Sequence, residues 1–271
     1  MKKALLIGIS NYNGKYSNLP GCLNDMNEWA SLLKSHYGFT TEGTRLLADN
    51  RATKMNILDR LEWLFSGDGL DEIVLFFAGH GARLRRRDYE TGDLDDNMDE
   101  TLVCFPEVKE DIQEHLLFDD ELLGIIQSKN LPDSVNVTFI FDSCHSGGMA
   151  RTVVISDETD IARSIVLPSD IAARTIPDLP IKRMGSLNQE DGINHVIVSA
   201  ALDIESAWDA KMDDGLRHGA FSYYATRFLE QNTSMSYASL IDNVTEKVTE
   251  RFPQHPRLLG NNGRFNSAFL K

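Results

Sequence analysis

The chain has 271 residues, of which 42% are hydrophobic and 25% charged, and these values are typical of a folded globular protein rather than a disordered or fibrous one. The 41 acidic residues outnumber the 27 Lys and Arg residues, and the formal charge of -14 repels nucleic acids and anionic membranes but attracts cationic ligands or basic peptide segments. We therefore expect one large domain that has no nucleic-acid or membrane partner.

The first half of the chain alternates apolar runs with helical patterns. Residues 4–9 are continuously apolar and predict a buried strand, and apolar residues at helical spacing predict a helix over residues 24–37. A second helix is expected over residues 53–65, where Thr53 is a suitable N-cap. The segment 72–81, EIVLFFAGHG, predicts a strand that is buried on both faces and ends at Ala-Gly-His-Gly.

The second half continues this alternation after a polar insertion. Residues 83–120 are rich in charge and predict an inserted loop or hairpin, whereas residues 151–192 lack periodicity and predict a long mobile connection. Further strands are expected at 102–105, 136–142, 195–201 and 264–270, and further helices at 119–128, 218–231 and 236–252. Strands that alternate with helices predict an α/β fold with a largely parallel sheet, whose functional site lies at the carboxyl ends of the strands.

A cysteine and a histidine each follow the end of a predicted central strand. Cys144 lies in the stretch FIFDSCHSGG, and His80 lies in LFFAGHGA. Because the carboxyl ends of parallel strands share one edge of the sheet, these two side chains can meet there. A thiol beside an imidazole gains thiolate character and becomes a nucleophile, and nearby glycines leave backbone N–H groups available to hold a developing oxyanion.

The same residues have alternative interpretations. A free cysteine is commonly a small buried hydrophobic residue, but the polar and glycine flanks of Cys144 favour a catalytic role. His145 is a rival base, although immediate neighbours on an extended chain point to opposite faces. The spacing of Cys22, Cys104 and Cys144 matches neither a disulfide framework nor a zinc site, which favours free thiols in a reducing cytoplasm.

Several stretches together resemble the caspase-like cysteine peptidases of the metacaspase and orthocaspase group. They are ALLIGISNY at 4–12, LPGCLND at 19–25, LFFAGHGA at 75–82 and FIFDSCHSGG at 139–148, and the likeness continues through 198–209 and 219–229. The resemblance thus spans nearly the whole chain. It implies a single caspase-like domain over residues 1–271, built as a three-layer α/β/α sandwich around a mostly parallel central sheet.

The resemblance also implies a chemistry for the two strand ends. Cys144 would be the nucleophile and His80 the general acid and base, with the backbone amides of Gly81 and Cys144 as the oxyanion hole. This group works with a dyad, without an obligatory third carboxylate, so no cofactor is required for the chemistry.

The basic-residue pocket of the family falls on Cys22, Asp25 and Asp142. The resemblance therefore implies protein or peptide substrates that are cut after Arg and, more weakly, after Lys, and two carboxylates in a cleft do favour a guanidinium or ammonium group. Each acid has an alternative interpretation. Asp25 fits equally well as an acid near a helix N-terminus, and Asp142 as an exposed acid at the end of a strand.

Many metacaspases are activated by calcium, and the resemblance places calcium ligands at Asp99 and at the pair Asp119 and Asp120. Carboxylate oxygens are suitable ligands for this ion. The chain departs from the family pattern at Arg151, where related proteins supply another acid. The alternative is that these acid-rich loops are simply solvated surface.

The connection at 151–192 lies where many caspase-like zymogens are cut. Its basic residues offer sites for self-processing, and they are Arg151, Arg163, Arg174, Lys182 and Arg183. Activation by a small ligand, an ion or a partner protein is also expected, and the family context suggests a bacterial stress or antiviral cell-death response. The alternative function is a caspase-like pseudoenzyme or a ligand-binding signalling module. A nucleotide-binding protein is excluded, because no strand is followed by GxGxxG or a P-loop motif.

Overall fold

The computed structural model describes residues 1–85, 98–107, 112–144, 160–167 and 194–271. The strands are β1 (Lys2–Gly8), β2 (Thr44–Ala48), β3 (Glu72–Ala78), β4 (Gly81–Arg85), β5 (Met98–Val103), β6 (Leu116–Phe118), β7 (Asn136–Asp142), β8 (Ile161–Ala162), β9 (His195–Ser199), β10 (Trp208–Lys211), β11 (Arg217–Gly219) and β12 (Arg257–Gly260). The helices are α1 (Gly21–His36), α2 (Lys54–Leu64), α3 (Asp119–Ser128), α4 (Ala220–Gln231) and α5 (Tyr237–Thr249).

A six-stranded sheet forms the centre of the domain, in the order β12-β9-β7-β3-β1-β2. All neighbouring strands in it are parallel except β12 and β9. The helices pack in two groups, with α1 against α4 and α4 against α5 in one, and α2 against α3 in the other. The predicted α/β fold with a mostly parallel central sheet is therefore confirmed.

Central strands and their helices follow from the local sequence. Every residue of β3 is buried, as expected for a parallel strand covered on both faces. The hydroxyl of Thr53 accepts a hydrogen bond from the backbone N–H of Asn56 at 3.3 Å, so that Thr53 caps α2 as predicted.

Two three-stranded sheets accompany the central sheet. Strands β4, β5 and β6 form an antiparallel sheet, which confirms the hairpin expected between residues 83 and 120. Strands β8, β10 and β11 form the other. Strand β8 belongs to the connection at 151–192, where no strand was expected, and Arg163, which directly follows it, is fully buried. Residues 151–159 and 168–192 of that connection lie outside the described residues.

The prediction of a last strand at 264–270 is wrong. The edge strand is β12, which pairs antiparallel with β9, and residues 262–264 form a turn of 3-10 helix. The apolar residues near the C-terminus have another role, because Phe269 packs against the rings of Trp29, Tyr37 and Tyr237. Short edge strands such as β12 carry little periodic signal, since their residues are only partly buried.

Candidate active site

Neighbouring strand ends place His80 and Cys144 at the same edge of the sheet. Strands β3 and β7 are adjacent and parallel, and Ala78 is in register with Asp142, so each of the two residues lies two positions beyond a paired strand end. Both side chains are buried, with exposures of 1% for His80 and 2% for Cys144. His145, Gly147 and Gly148 lie outside the described residues.

The imidazole of His80 is held in one orientation. Its backbone N–H donates to the Tyr12 hydroxyl at 2.7 Å, and its Nε2 lies 2.8 Å from the carbonyl oxygen of Ser17. A carbonyl oxygen only accepts, so Nε2 carries the proton and Nδ1 keeps a lone pair. Among the described residues Nδ1 has no hydrogen-bond partner. Burial lowers the pKa of His80 to about 4, and the ring is therefore neutral at physiological pH.

Two backbone amides converge on one carbonyl oxygen beside the cysteine. The N–H groups of Gly81 and Cys144 both donate to the carbonyl oxygen of Arg163, at 2.9 and 3.2 Å. Two converging N–H groups next to a thiol are the arrangement that stabilises the oxyanion of an acyl-transfer reaction. The Sγ atom of Cys144 lies 3.9 Å from the carbonyl oxygen of Ala207, an oxygen that also accepts the backbone N–H of Arg163.

The side chain of Arg163 occupies an acidic pocket beside this site. Its Nη2 atom lies 2.5 Å from a carboxylate oxygen of Asp25 and 3.2 Å from one of Asp209, and its Nη1 atom lies 3.0 Å from Asp142. All four side chains are fully buried. Three carboxylates therefore enclose one guanidinium group.

Backbone amides at helix N-termini hold the three carboxylates in place. Asp25 accepts the N–H of Gly219 at 2.8 Å, and Asp142 accepts that of Ser222 at 3.2 Å, both at the start of α4. Asp209 accepts the N–H of Gly21, the first residue of α1, at 2.9 Å. The positive end of a helix dipole favours negative charge, so these helix ends stabilise the three carboxylates of the pocket in their charged form.

Two further basic side chains contact the acids of the pocket. Arg217 donates from Nε to Asp209 at 2.9 Å, and Nδ1 of His218 lies 2.9 Å from Asp25. Burial raises the pKa of Asp142 to about 6, although Arg163 opposes this shift, and burial also raises the pKa of Asp209. The positive charge of Arg163 partly offsets the rise in both pKa values. A cation in the pocket therefore stabilises the charged form of these acids, and the pocket favours a cation as its occupant.

The predicted pocket residues lie together, and a third acid joins them. Cys22 is a buried thiol of α1, and burial raises its pKa well above the usual range while the nearby Arg163 opposes the shift. Asp25 and Asp142 both contact the guanidinium, so neither is an exposed surface acid. Sequence reasoning missed Asp209. Asp209 lies in the stretch 198–209 that resembles the family, and this was the only feature of the sequence that could have indicated a pocket role for it.

The residues predicted to bind calcium are described only in part. Asp119 and Asp120 occupy the first turn of α3, where Asp119 accepts the backbone N–H of Asp120 at 2.9 Å. Asp99 lies in β5, but its side chain is outside the described residues. Calcium takes about six to eight oxygen ligands, so the described side chains alone do not complete a calcium site. Calcium binding stays a prediction.

Known proteins that are similar to this chain are metacaspases. The family profile for the metacaspase peptidase C14 domain matches residues 2–153. Metacaspase-1 of Yarrowia lipolytica is 30% identical over 290 residues, which cover 95% of this chain and 61% of that protein. Metacaspase-1 of Candida albicans is 29% identical over 295 residues, which cover 95% of this chain and 64% of that protein. The chain thus spans a little over three fifths of the length of these relatives.

A solved structure supports the fold. The crystal structure of protein GSU0716 from Geobacter sulfurreducens superposes with a TM-score of 0.66 at 20% identity, covering 100% of this chain and 98% of the other. Within the described ranges, no helix is both long and apolar enough to cross a lipid bilayer. The match of the family profile to more than half of the sequence, together with these relatives, shows that the chain belongs to the metacaspase family of C14 cysteine peptidases.

Proposed function

We propose that the chain is a cysteine endopeptidase that cleaves peptide bonds after Arg and, more weakly, after Lys. One observation carries this proposal: a guanidinium lies between three buried carboxylates while the carbonyl oxygen of the same residue accepts two backbone amides beside Cys144. A peptide substrate of an arginine-directed cysteine peptidase has to make both sets of contacts at once.

The proposed reaction uses the groups at the two strand ends. Nδ1 of neutral His80 accepts the thiol proton of Cys144, and the thiolate attacks the substrate carbonyl carbon. The amides of Gly81 and Cys144 stabilise the negative charge on the oxygen. As the C–N bond breaks, His80 returns the proton to the leaving amine. Water then hydrolyses the thioester, with His80 again accepting a proton.

The preference for Arg over Lys follows from the shape of the pocket. The guanidinium uses two nitrogens, with Nη1 directed at Asp142 and Nη2 shared by Asp25 and Asp209. A planar fork can contact three carboxylates in this way, whereas the ammonium of Lys is a single compact charge. We expect Lys substrates to lose at least one of the three contacts and to react more slowly.

Fluorogenic peptides test this proposal. Peptides that differ only in Arg, Lys or Gln before the cut are incubated with the full chain and with Cys144→Ala, in separate arms with calcium and with a chelator. We expect turnover in the order Arg, Lys, Gln, and none with Cys144→Ala. Cys104→Ala, which removes another buried thiol, is the matched control and keeps activity. Equal turnover of the Arg and Gln peptides, or none in any arm, contradicts the proposal.

Cys22, Cys104 and Cys144 are all buried and none of the three forms a disulfide, which agrees with a reducing compartment. We propose a cytoplasmic location on that basis. The alternative of a pseudoenzyme or ligand-binding module predicts that Arg peptides bind to the pocket without being cut. A role in bacterial stress or antiviral cell death stays a prediction from the family resemblance.

A further inference from the structure

Three side chains that can ligate a metal ion meet beside the acidic pocket. Glu28 lies in α1, Asp214 in the turn between β10 and β11, and His218 in β11. One ligand atom from each residue lies within 4.8 Å of those from the other two. The Nε2 atom of His218 is 3.2 Å from Oδ2 of Asp214 and 3.8 Å from Oε1 of Glu28. One ring nitrogen and two carboxylate oxygens are therefore close enough to contact a single ion.

The ring of His218 presents a buried nitrogen to this cluster. The side chain is 1% exposed, and within the part of the chain that the structure describes its Nε2 atom makes no hydrogen bond. Its Nδ1 atom lies 2.9 Å from Oδ1 of Asp25. A carboxylate only accepts, so Nδ1 carries the proton and Nε2 of the neutral ring directs a lone pair at the two acids. A cation between them accounts for this buried nitrogen.

The surroundings of His218 are those of a metal-binding histidine. Such a histidine usually donates its other ring N–H to a carboxylate, which fixes the ring and makes the ligating nitrogen more basic, and Asp25 has this position here. Two ligands at about 2.0–2.2 Å from a tetrahedral ion lie about 3.3 Å apart. The 3.2 Å between His218 and Asp214 fits that spacing. Zn²⁺ takes mixed nitrogen and oxygen ligands, whereas Ca²⁺ takes oxygen.

The neighbouring Arg227 leaves room for an ion. Its Nη1 atom lies 3.2 Å from Oε2 of Glu28, whereas the oxygen that faces His218 is Oε1. Its Nη2 atom lies 2.8 Å from Oδ2 of Asp214, and a carboxylate oxygen has two lone pairs. The guanidinium also lies 3.4 Å from the ring centre of Tyr223. Arg227 thus holds the two carboxylates while each of them keeps an acceptor position for a metal.

We propose that Glu28, Asp214 and His218 bind a divalent transition-metal ion of the Zn²⁺ type, and that the bound ion weakens the binding of cationic side chains in the acidic pocket. The second part rests on the proposed function. His218 contacts Oδ1 of Asp25, and the other oxygen of Asp25 contacts the guanidinium in the pocket. A metal on Nε2 polarises the ring, so that Nδ1–H binds Asp25 more strongly. Two cations that act on one carboxylate then disfavour each other.

A proton is the rival occupant of Nε2. Burial lowers the pKa of His218, but the hydrogen bond to Asp25 and the charges of Glu28 and Asp214 raise it overall. Metal binding requires a deprotonated imidazole, so Zn²⁺ is titrated by calorimetry at about pH 8. The protein is the untagged full chain with Cys144→Ala, in which the catalytic thiol cannot bind the ion. We expect one site. If only a proton occupies Nε2, no Zn²⁺ binds and the proposal is wrong.

Variants in the Cys144→Ala background locate the site. Asp214→Asn and Glu28→Gln each remove a ligand and should weaken the affinity for Zn²⁺ at least about tenfold. Asp213→Asn removes the same charge from the adjacent position and should bind like the parent. Bound Co²⁺ should give the absorption spectrum of nitrogen and oxygen ligation, without a thiolate charge-transfer band. Equal affinity in all variants, or a thiolate band, overturns the site.

The link to the acidic pocket is tested with the active chain. Zn²⁺ should raise the KM for Arg peptides roughly fivefold with little change in kcat. Asp214→Asn should lose this effect and Asp213→Asn should keep it, whereas an ion on the catalytic thiol would lower kcat in both. Zn²⁺ should raise the melting temperature of the parent and of Asp213→Asn more than that of Asp214→Asn, and the same measurement identifies an unfolded variant.

The outcomes separate this inference from the proposed function. If the chain binds Zn²⁺ at this site and the KM for Arg peptides does not rise, the link through His218 and Asp25 is wrong. If no form of the chain hydrolyses the Arg peptide, the proposed function itself fails. The calorimetric titrations still decide the metal site in that case, because they are made on the Cys144→Ala chain and need no turnover.

Discussion

The third carboxylate of the pocket gives the most direct test of the specificity argument. Asp209 lies 3.2 Å from Nη2 of Arg163, and that nitrogen also lies 2.5 Å from Asp25. Asp209→Asn removes one charge while the side-chain volume stays nearly the same. The other two acids remain in contact with the guanidinium.

The expected loss can be worked out from these distances. Hydrogen bonds between charged groups contribute about 1.5–3 kcal/mol. The contact to Asp209 is at the long end of the normal range, and Nη2 keeps its shorter contact to Asp25, so the lower end applies. A loss of about 1.5–2 kcal/mol corresponds to a roughly tenfold to thirtyfold lower kcat/KM for Arg peptides. Lys peptides should lose less, because a single ammonium can still pair with the other two acids.

The substitution also affects stability, and the assay has to separate the two effects. One oxygen of Asp209 accepts the N–H of Gly21 and the other accepts Nε of Arg217. An asparagine turns one of these acceptors into a donor, so we expect a lower melting temperature. The rates are therefore normalised to the number of thiols that react with an Arg-based covalent titrant. Asp213→Asn, an exposed acid that follows the same strand, is the matched control.

Two results would refute this reasoning. One is an equal loss for Arg and Lys peptides after normalisation, which would mean that Asp209 does not discriminate between the two cations. The other is an unchanged kcat/KM for Arg peptides in a folded variant. In that case Asp209 would serve only to position Gly21 and Arg217.

The geometry leads to three further predictions. The KM for Arg peptides should rise as the pH falls through about 6, because protonation of Asp142 removes negative charge from the pocket. The kcat should change less over this range, because His80 has a pKa of about 4 and stays neutral. A KM that is flat between about pH 5 and 8 would contradict this prediction. Gly219→Ala should abolish Arg turnover without unfolding the chain, because a Cβ atom there meets the Asp142 carboxylate and lies 2.5 Å from Nη1 of Arg163. Gly124→Ala, in an open position on α3, should have no effect in the same assay. Tyr12→Phe removes the acceptor for the His80 N–H and should lower kcat roughly tenfold with little change in KM, and a change confined to KM would show that Tyr12 does not position His80.

Much of the fold could be predicted because it depends on local patterns. The buried strands β1, β3, β7 and β9 are apolar runs, and the capped helix α2 has helical spacing, so their positions were close to those expected. The two strand ends with His80 and Cys144 were recognisable for the same reason. Polar and glycine residues that interrupt an apolar run stand out in a sequence.

The contents of the pocket could not be predicted in this way. The sequence has 41 acidic residues and does not indicate which three of them meet. Asp25 lies in α1, Asp142 ends β7 and Asp209 lies in β10, so their convergence depends on strand order and on how α1 and α4 pack. These are long-range relations that leave no local pattern.

The sequence by itself determined the alternation of strands and helices and the two polar strand ends, because both arise from the spacing of apolar residues along the chain. Only the tertiary structure decided that Arg163 lies in the cleft. The segment around it has no periodicity and is held by backbone hydrogen bonds to Ala207 and Gly81, which any residue type can make. Its side chain is fixed by three carboxylates from distant parts of the chain, and that arrangement exists only once the sheet has formed.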